Sequence, residues 1–387
     1  MNPNFMLNED LDHMARIAMS REVLNNVLLH VLKLKVSDIY FQTDSPIYIK
    51  LNNHVYTISK NRITDYTMKQ IMTILANSDD AAMDVMQGRP LNGSYKFRIA
   101  NGQKRTDVRF RVNAIADVKG INISMRLNPS KIPKLTDIGM TTQDPIYQNM
   151  FPRKGGVLVT GPTDSGKTTL LYACIHERLL DPEQSFVFNS FESPIEGDLD
   201  KVLKENKITN KLVSQVEVPA GVANFNAGFD EALRRNSDII MTGEVRTSED
   251  VEGFVNGIIK TGRLLLATMH TPNIPSTINR MLNALSGLGE GARASLAYDL
   301  VEGLHLVVAQ NLLTTVDKKR VAVKEHLVFD QTVKDRLHSV GPTRYSEELK
   351  KIMREKGNTI VDDAKIKLNQ KIISQAEFSR FEISNGY

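Results

Sequence analysis

One eight-residue stretch limits what this chain can fold into. It reads Gly161-Pro162-Thr163-Asp164-Ser165-Gly166-Lys167-Thr168 and fits the pattern G-x-x-x-x-G-K-[ST]. An apolar run at 156–160 precedes it, and a segment with a helical pattern at 169–180 follows it. A strand, a glycine-rich turn and a helix in this order form a cradle whose backbone N–H groups and helix N-terminus bind phosphate. The alternative is a glycine turn that binds nothing, and the agreement of all eight positions with both flanks favours the cradle.

The residue types of this cradle predict its ligands. Lys167 would reach the β- and γ-phosphates of a nucleotide, and the Thr168 hydroxyl would ligate Mg²⁺. The remaining positions of the loop, with Thr169 after it, would surround the phosphates. The sequence therefore predicts a site for ATP and Mg²⁺ at residues 161–169.

Composition narrows the class of protein. A chain of 387 residues predicts two or three domains. Cys174 is the only cysteine, so neither a disulfide framework nor a zinc cluster is expected. The N-terminal residues lack the continuous apolar core of a signal peptide, and the apolar runs are far shorter than the ~20 residues of a membrane span. Any association with a membrane is therefore expected to go through partners.

Charge gives little support for nucleic-acid binding. The formal net charge is only +4, and the chain contains no tryptophan. Such a mild positive balance is weak evidence for nucleic acid, and few aromatic residues argue against a platform on which single strands stack. No direct contact with nucleic acid is expected.

The first region predicts a small α+β domain. Ser20 is a candidate helix N-cap, because apolar residues follow it at helical spacing, at Leu24, Val27, Leu28, Val31 and Leu32. Short strands are predicted at 39–42, 47–51 and 54–58. Residues 108–114 and 121–127 alternate between apolar and polar side chains, as half-buried antiparallel strands do, with a turn at 117–120. We predict a loose leader at 1–18, this domain at 19–130 and a proline-containing linker at 131–146.

The second region has another rhythm, in which apolar runs alternate with helical stretches. The predicted strands are at 157–160, 186–188, 239–242, 264–269 and 304–309. This alternation is typical of a parallel sheet covered by helices on both faces. We predict this α/β domain at 147–345 and a charged helical region at 346–387, with helices at 347–356, 360–371 and 374–381.

Candidate catalytic side chains follow successive strands of that sheet. Ligands of parallel α/β sheets lie at the carboxyl ends of the strands, where Lys167, Glu196, Glu244 and His270 should converge. The two carboxylates could orient water and support Mg²⁺, and the histidine could sense the γ-phosphate. The alternatives are a solvated loop acid at Glu196, a helix-capping acid at Glu244 and a structural histidine. Asp238 opens its strand and is interpreted as a turn residue.

Three arginines of the first region are further candidates. Arg109, Arg111 and Arg126 lie on the polar faces of two strands that we expect to pair. A solvated strand face is the alternative. Arginine supplied from a neighbouring subunit can accelerate phosphoryl transfer by ~10³–10⁵, so a ring could use these residues at its neighbour's nucleotide.

The motifs, in their order along the chain, resemble those of the PilT-like secretion and pilus-motor ATPases. The matching stretches are Val36-Ser37-Asp38-Ile39, Arg109-Phe110-Arg111-Val112-Asn113, the Walker A loop 161–168, the aspartate box Glu192-Ser193-Pro194-Ile195-Glu196, the Walker B segment 238–246 ending Gly243-Glu244-Val245-Arg246, and the histidine box Thr261-Gly262-Arg263 with Thr268-Met269-His270-Thr271. They extend from about residue 36 over most of the chain.

This resemblance implies a homohexameric ring whose subunits pair a PAS-like N-terminal domain with a RecA-like P-loop NTPase domain. It implies that Glu196 is the catalytic carboxylate, Glu244 the Walker B acid and a metal-site residue, and His270 the histidine-box residue. The three arginines resemble those that reach nucleotide in the family. Two positions depart from the family pattern. Ser193 replaces the usual aspartate, and Arg263 replaces a histidine expected on the phosphate side. The chain also lacks the C-x-x-C pairs of the zinc-bearing assembly ATPases.

Within the family, the chain resembles the DotB/TraJ group of type IVB secretion and IncI-type conjugation. The stretches 37–43 and 133–137 and the residue at 193 carry this likeness. It implies a cytoplasmic motor, peripheral at the inner membrane, which docks on components of a secretion or transfer complex, including a second ATPase of the machine. A nucleic-acid motor on the same core and a non-catalytic nucleotide-dependent scaffold are the alternatives.

Overall fold

The computed structural model describes residues 19–385, apart from positions 35, 37, 52–53, 102–103 and 129–131. The predicted leader at 1–18 and Ser37 therefore lie outside the described residues. The chain forms two compact units. One contains the described part of residues 1–131 together with Ser193–Gly197, and the other contains Ile132–Glu192 and the residues from Asp198 onward. The predicted α/β class, with a smaller α+β region before it, is confirmed.

The first unit is built on a six-stranded antiparallel sheet in the order β3-β2-β1-β6-β5-β4. Its strands are β1 Asp38–Gln42, β2 Tyr48–Leu51, β3 His54–Thr57, β4 Leu91–Asn101, β5 Lys104–Asp117 and β6 Gly120–Asn128. Its helices are Arg21–Lys33, Asp65–Ala76 and Ala81–Met86. The alternating segments pair as β5 and β6, and Asp117 lies opposite Gly120 at the predicted turn.

The first helix starts where its sequence predicts. The Ser20 hydroxyl accepts a hydrogen bond from the Val23 N–H at 3.2 Å, which satisfies one of the N–H groups that a helix start leaves without a partner. Four of the five predicted apolar positions are buried, namely Leu24, Val27, Leu28 and Val31. The local pattern therefore sets both the start of this helix and its packed face.

The second unit contains a seven-stranded sheet in the order β13-β12-β7-β11-β10-β8-β9. Its strands are β7 Gly155–Thr160, β8 Phe186–Glu192, β9 Lys211–Glu217, β10 Ile239–Thr242, β11 Leu264–Met269, β12 Leu304–Thr314 and β13 Arg320–Val328. Its helices are Pro145–Gln148, Lys167–Leu180, Leu199–Glu205, Phe225–Arg234, Ser248–Thr261, Ile274–Ala284, Glu290–Gly303, Gln331–Val340, Tyr345–Lys356, Ile360–Asn369 and Gln375–Asn385. Neighbouring strands are parallel except β12 and β13.

Helices cover both faces of this sheet, as predicted. Within β7, Leu158 packs into one hydrophobic cluster, whereas Val157 and Val159 pack into another. All six residues of β7 are buried. A continuous apolar strand of this kind is what a parallel sheet covered on both faces requires.

Two predicted strands are too short. β8 continues to Glu192 rather than ending at Phe188, and β12 continues to Thr314 rather than ending at Ala309. The polar residues Asn189 and Ser190 suggested a loop, but both are buried in the sheet. Each has a side-chain partner there, because the Asn189 amide donates to the Ser237 hydroxyl and the Ser190 hydroxyl donates to Glu192.

One buried carboxylate joins two helices of the second unit. Glu325 on β13 is 0% exposed. Its Oε1 accepts from the Ile274 N–H at 2.7 Å, and its Oε2 accepts from the Ile360 N–H at 2.8 Å. Both N–H groups lie at helix starts, where partial positive charge stabilises a carboxylate. Glu325 therefore links the helix Ile274–Ala284 to the C-terminal helices.

The single cysteine lies inside the helix Lys167–Leu180. Cys174 is fully buried, and this burial raises the pKa of its thiol to about 12. The thiol behaves as a small apolar side chain in the core.

Three histidines, of which His176 is buried and His305 and His326 are half-buried, predict a pH dependence of stability. Burial lowers the pKa of His176, His305 and His326 below the ordinary value of 6.5. The unfolded chain therefore binds protons at these sites at a higher pH than the folded chain does. The contribution of these three histidines to the free energy of unfolding is fully present above pH 6.5. It falls as the pH drops below that value.

Urea unfolding between about pH 7.5 and about pH 5.5, a range that spans the ordinary histidine pKa, measures this effect. Replacing His326 with glutamine should flatten the pH dependence of the unfolding free energy, whereas replacing the exposed His54 should leave it unchanged. A stability that stays constant or rises on acidification would contradict the prediction.

No helix in the described part of the chain has the length and apolar character needed to cross a membrane.

Candidate functional site

The predicted phosphate loop connects β7 to the helix that begins at Lys167. Gly161 has φ +151° and Gly166 has φ +83°, which L side chains rarely adopt. A Cβ at Gly161 would overlap the Gln310 carbonyl oxygen, and a Cβ at Gly166 would lie 2.9 Å from Gln310 Nε2. Gln310 also donates a hydrogen bond to the Ser165 carbonyl at 2.7 Å. Strand β12 therefore packs against the loop, and only glycine fits at positions 161 and 166.

The Lys167 ammonium lies inside the curve of this loop. Its Nζ donates to the carbonyls of Gly161 at 3.0 Å and Pro162 at 2.7 Å. It also lies 3.2 Å from His270 Nδ1. A lysine held in this way presents a fixed positive charge where the loop can receive phosphate.

His270 connects Lys167 to Glu244. The His270 Nε2 lies 3.2 Å from Glu244 Oε1. Burial, and then the Lys167 charge, lower the pKa of His270, against the opposite effect of Glu244. We assign the neutral ring, with Nδ1 accepting from the Lys167 ammonium and Nε2–H donating to the Glu244 carboxylate. A continuous path of polar contacts thus runs from the loop lysine to the carboxylate.

The second oxygen of Glu244 also has a partner. Glu244 Oε2 lies 2.5 Å from Arg246 Nη2, so both oxygens of this half-buried carboxylate have fixed neighbours. The backbone around it is held as well, because the Val245 N–H donates to the Thr268 carbonyl at 2.9 Å. On the other side, Arg280 donates to the His270 carbonyl at 2.8 Å. The ends of β10 and β11 therefore carry Glu244 and His270 on a rigid frame.

The structure brings together three of the four side chains that were expected to converge, Lys167, Glu244 and His270. Glu196 is exposed and belongs to the segment Ser193–Gly197, which groups with the first unit. Its catalytic role stays a prediction. The alternative of a helix-capping acid at Glu244 does not fit, because the capping carboxylate of the following helix is Asp250, which accepts from the N–H of Thr247.

The three arginines of the first unit have different surroundings. Arg109 is half-buried and donates to the Ile195 carbonyl at 3.3 Å. Arg111 is exposed. Arg126 pairs with the buried Asp38 at 2.6 Å. Their role at a neighbouring nucleotide stays a prediction, and Arg126 would have to leave a short ion pair to fulfil it.

Two oxygen-bearing side chains of the site could contribute to the binding of a magnesium nucleotide. The described residues include no group of three or more His, Cys, Asp or Glu side chains that could hold a metal ion. Mg²⁺ in nucleotide sites takes one or two protein oxygens, with substrate phosphates and waters as its other ligands. The half-buried Thr168 and Glu244 are oxygen donors of this kind.

Two residues flagged in the sequence lie at the opposite edge of the sheet. Arg263 immediately precedes β11, and its carbonyl accepts from the N–H of Gly155 at the start of β7. Its guanidinium donates to Asp238 at 3.3 Å. The expectation that position 263 lies on the phosphate side is therefore wrong, because the loop leaves the other end of β7. Asp238 also accepts from the Val187 N–H at 2.9 Å, which supports its interpretation as a turn residue.

Sequence reasoning missed three residues that shape the site, Arg246, Arg280 and Gln310. Arg246 was visible as the last residue of G-E-x-R but received no role. Gln310 lies 145 residues from its partner Ser165, and Arg280 lies on a helix after the histidine box. Nothing in their local sequence marks these two contacts.

Comparison with known proteins finds one matching family and several similar proteins. A family model described as "Type II/IV secretion system protein" matches residues 14–380. The type IV pilus assembly ATPase PilB of Myxococcus xanthus is 30% identical over 294 residues, which are 71% of this chain and 47% of that protein. The type IV pilus retraction ATPase PilT of Pseudomonas aeruginosa is 31% identical over 59% of this chain and 62% of its own length. The matched region thus spans about half to three-fifths of these curated relatives.

Solved structures agree over nearly the whole chain. The crystal structure of the ATPase DotB from Legionella pneumophila superposes with a TM-score of 0.85 at 31% identity, and covers 95% of this chain and 97% of that one. The pilus retraction motor PilT with bound ADP gives a TM-score of 0.72 at 22% identity over 92% of this chain and 95% of its own, which supports the fold alone. By the extent of the family match and the likeness to DotB, the chain belongs to the type II/IV secretion system protein family.

Proposed function

We propose that this chain is a Mg²⁺-dependent ATPase that works as a hexameric motor. The proposal rests on the path of contacts from Lys167 through His270 to Glu244. This path starts in the phosphate loop, where only glycine fits at positions 161 and 166. This arrangement joins a phosphate-binding lysine to a carboxylate at the carboxyl edge of a parallel sheet, where such sheets bind ligands. Membership of the family and the likeness to the ATPase DotB support the same activity.

The residues divide the chemistry of hydrolysis. Loop N–H groups and Lys167 would hold the phosphates and neutralise charge on the transferring group. Thr168 and Glu244 would hold Mg²⁺, which when bound neutralises further phosphate charge. Glu196 would orient the attacking water and accept its proton. The water oxygen bonds to the γ-phosphorus as the bond from that phosphorus to the β–γ bridging oxygen breaks, and ADP leaves with the bonding electrons. Neutral His270 contacts both Lys167 and Glu244, so phosphate binding by Lys167 would change the hydrogen bonding of Glu244.

The ring is the further part of the proposal. We assign Arg109, Arg111 and Arg126 to the nucleotide of a neighbouring subunit, where their charge would stabilise the transferring phosphoryl group. Closure of the first domain on that nucleotide, and its release after hydrolysis, would produce the motion that a motor requires. Fixed charge at the site is consistent with electrostatic stabilisation, which is usually the largest catalytic contribution.

The machine we propose is a type IVB secretion or conjugative transfer complex. The DotB-like sequence stretches, together with the match to DotB over 95% of the chain, favour this group over the pilus motors. The protein would act in the cytoplasm and dock on inner-membrane components of that complex.

Steady-state ATP hydrolysis, measured together with the mass of the purified protein in solution, tests the proposal. We expect Mg²⁺-dependent turnover by a six-subunit species. Replacing Glu196 with glutamine should lower kcat at least about a hundredfold, because the amide cannot accept a proton from water. The matched variant Glu205→Gln, at an exposed helix residue, should keep wild-type activity. Tight ATP binding without turnover above the Glu196→Gln background would instead indicate a scaffold.

A further inference from the structure

A buried hydrogen-bonding network includes the residue that precedes the Glu196 segment in the chain. Its centre is Glu192, the last residue of β8, which is only 3% exposed. Glu192 Oε2 accepts from the Tyr172 hydroxyl at 2.5 Å, and Oε1 accepts from the Ser190 hydroxyl at 2.6 Å. Oε1 also accepts from Gln215 Nε2 at 3.2 Å. Donors on three different elements therefore fix the orientation of this carboxylate, which burial without partners would strongly disfavour.

Gln215 connects the two ends of the Glu196 segment. It lies on β9 opposite Ser190. Its Nε2 binds Glu192, immediately before Ser193–Gly197, while its Oε1 accepts from the Leu199 N–H at 2.8 Å. Leu199 begins the helix that follows the segment. One amide side chain thus ties the residue before the segment to the first helical residue after it.

The same network reaches the helix of the phosphate loop. Tyr172 lies on the helix Lys167–Leu180, and its hydroxyl also accepts from Gln215 Nε2 at 3.2 Å. The helix that begins with Lys167 is therefore hydrogen-bonded, through Tyr172, to Glu192 and Gln215. Ser193, the departure from the family's aspartate, is exposed, whereas the buried carboxylate of this network is Glu192.

We infer that Gln215, with Glu192 and Tyr172, positions Glu196 for catalysis by fixing both ends of its segment to the helix that starts at Lys167. This inference rests on the proposed ATPase function. Gln215 and its partners are positioning residues, since they act through Glu196 rather than on the nucleotide. A small displacement of a catalytic group can cost about a hundredfold in rate. A network that fixes the residues on both sides of the Glu196 segment should therefore affect kcat more than substrate binding.

The test is a double-variant cycle on the full-length protein with MgATP. Replacing Gln215 with leucine should lower kcat about ten- to a hundredfold, with KM and the affinity for a fluorescent ATP analogue within about twofold of wild type. Replacing Gln215 with glutamate should be equally damaging, because a carboxylate cannot donate to Glu192. In a Glu196→Gln background, Gln215→Leu should cause no further loss, since it acts through the residue already removed.

Controls separate this role from a general loss of structure. Ser214→Ala removes a neighbouring contact on β9, the hydrogen bond from Arg235, and should leave kcat unchanged. Tyr172→Phe removes a single hydroxyl and should lower kcat by a smaller factor without unfolding the protein. A wild-type kcat in the Gln215→Leu variant, or an equal loss in both backgrounds, would overturn the inference alone. Absence of hydrolysis by the unaltered protein would overturn the proposed function, and the inference with it.

Discussion

Replacing Lys167 with alanine should abolish ATP turnover. The Lys167 ammonium is fixed by the carbonyls of Gly161 and Pro162 and by His270, inside the loop that we assign to the phosphates. Its removal takes away the ammonium group that His270 connects to Glu244. We expect kcat to fall by at least about a hundredfold, since single electrostatic contacts to a reacting group contribute about that much. Phosphate release under saturating MgATP measures the effect.

A matched lysine variant completes this experiment. Lys154 is exposed on the turn before β7, and Lys154→Ala should hydrolyse ATP at the wild-type rate. Circular dichroism of both variants would show that the fold is kept. If Lys167→Ala retained full ATPase activity, the assignment of the active site to this loop would be wrong.

Replacing Glu325 with alanine should cause a large loss of stability. Glu325 is the acceptor for the buried N–H groups of Ile274 and Ile360. Each buried donor left without a partner costs about 1–3 kcal/mol, so the free energy of unfolding should fall by about 2–6 kcal/mol. Urea unfolding followed by circular dichroism gives this quantity.

Two further variants test the reason for that loss. Glu325→Gln keeps one acceptor oxygen but turns an amide NH₂ toward the other N–H, so an intermediate loss is expected. Glu382 is exposed on the last helix, and Glu382→Ala should change stability by less than about 0.5 kcal/mol. A Glu325→Ala variant as stable as Glu382→Ala would show that other groups accept hydrogen bonds from the N–H groups of Ile274 and Ile360.

Local patterns predicted the parts of the fold that depend on nearby residues. The Ser20 cap and the turn between β5 and β6 involve partners three residues apart, and the alternation in these two strands is a pattern of consecutive residues. Predictions failed where burial reverses the local meaning of a residue. Asn189 and Ser190 resemble loop residues, yet they lie in the core. There the Asn189 amide donates to Ser237 outside the strand, and the Ser190 hydroxyl donates to Glu192 within it. The strand β9 contains Ser214 and Gln215 at an edge of the sheet, and its pattern gave no strand prediction.

The candidate site also contains parts that local patterns predicted and parts that depend on contacts between distant residues. The glycine pattern and the order of strands placed Lys167, Glu244 and His270 at one edge, and the structure brings them into contact. The pairing of Glu244 with Arg246 and the support of the loop by Gln310 depend on side-chain direction and on register between distant strands. The misplaced expectation for Arg263 came from family resemblance, which does not say at which end of a strand a residue lies.

The buried Cys174 offers a way to time the opening of the helix behind the phosphate loop. Only the thiolate reacts with disulfide reagents, and burial holds the pKa of this thiol at about 12, so modification requires the helix to detach from the core. The labelling rate then reports the population of that open state. Because the helix begins at Lys167, a ligand gripped by the loop should slow labelling in proportion to its affinity. A single native thiol therefore makes the protein its own probe of ligand binding, without an added tag.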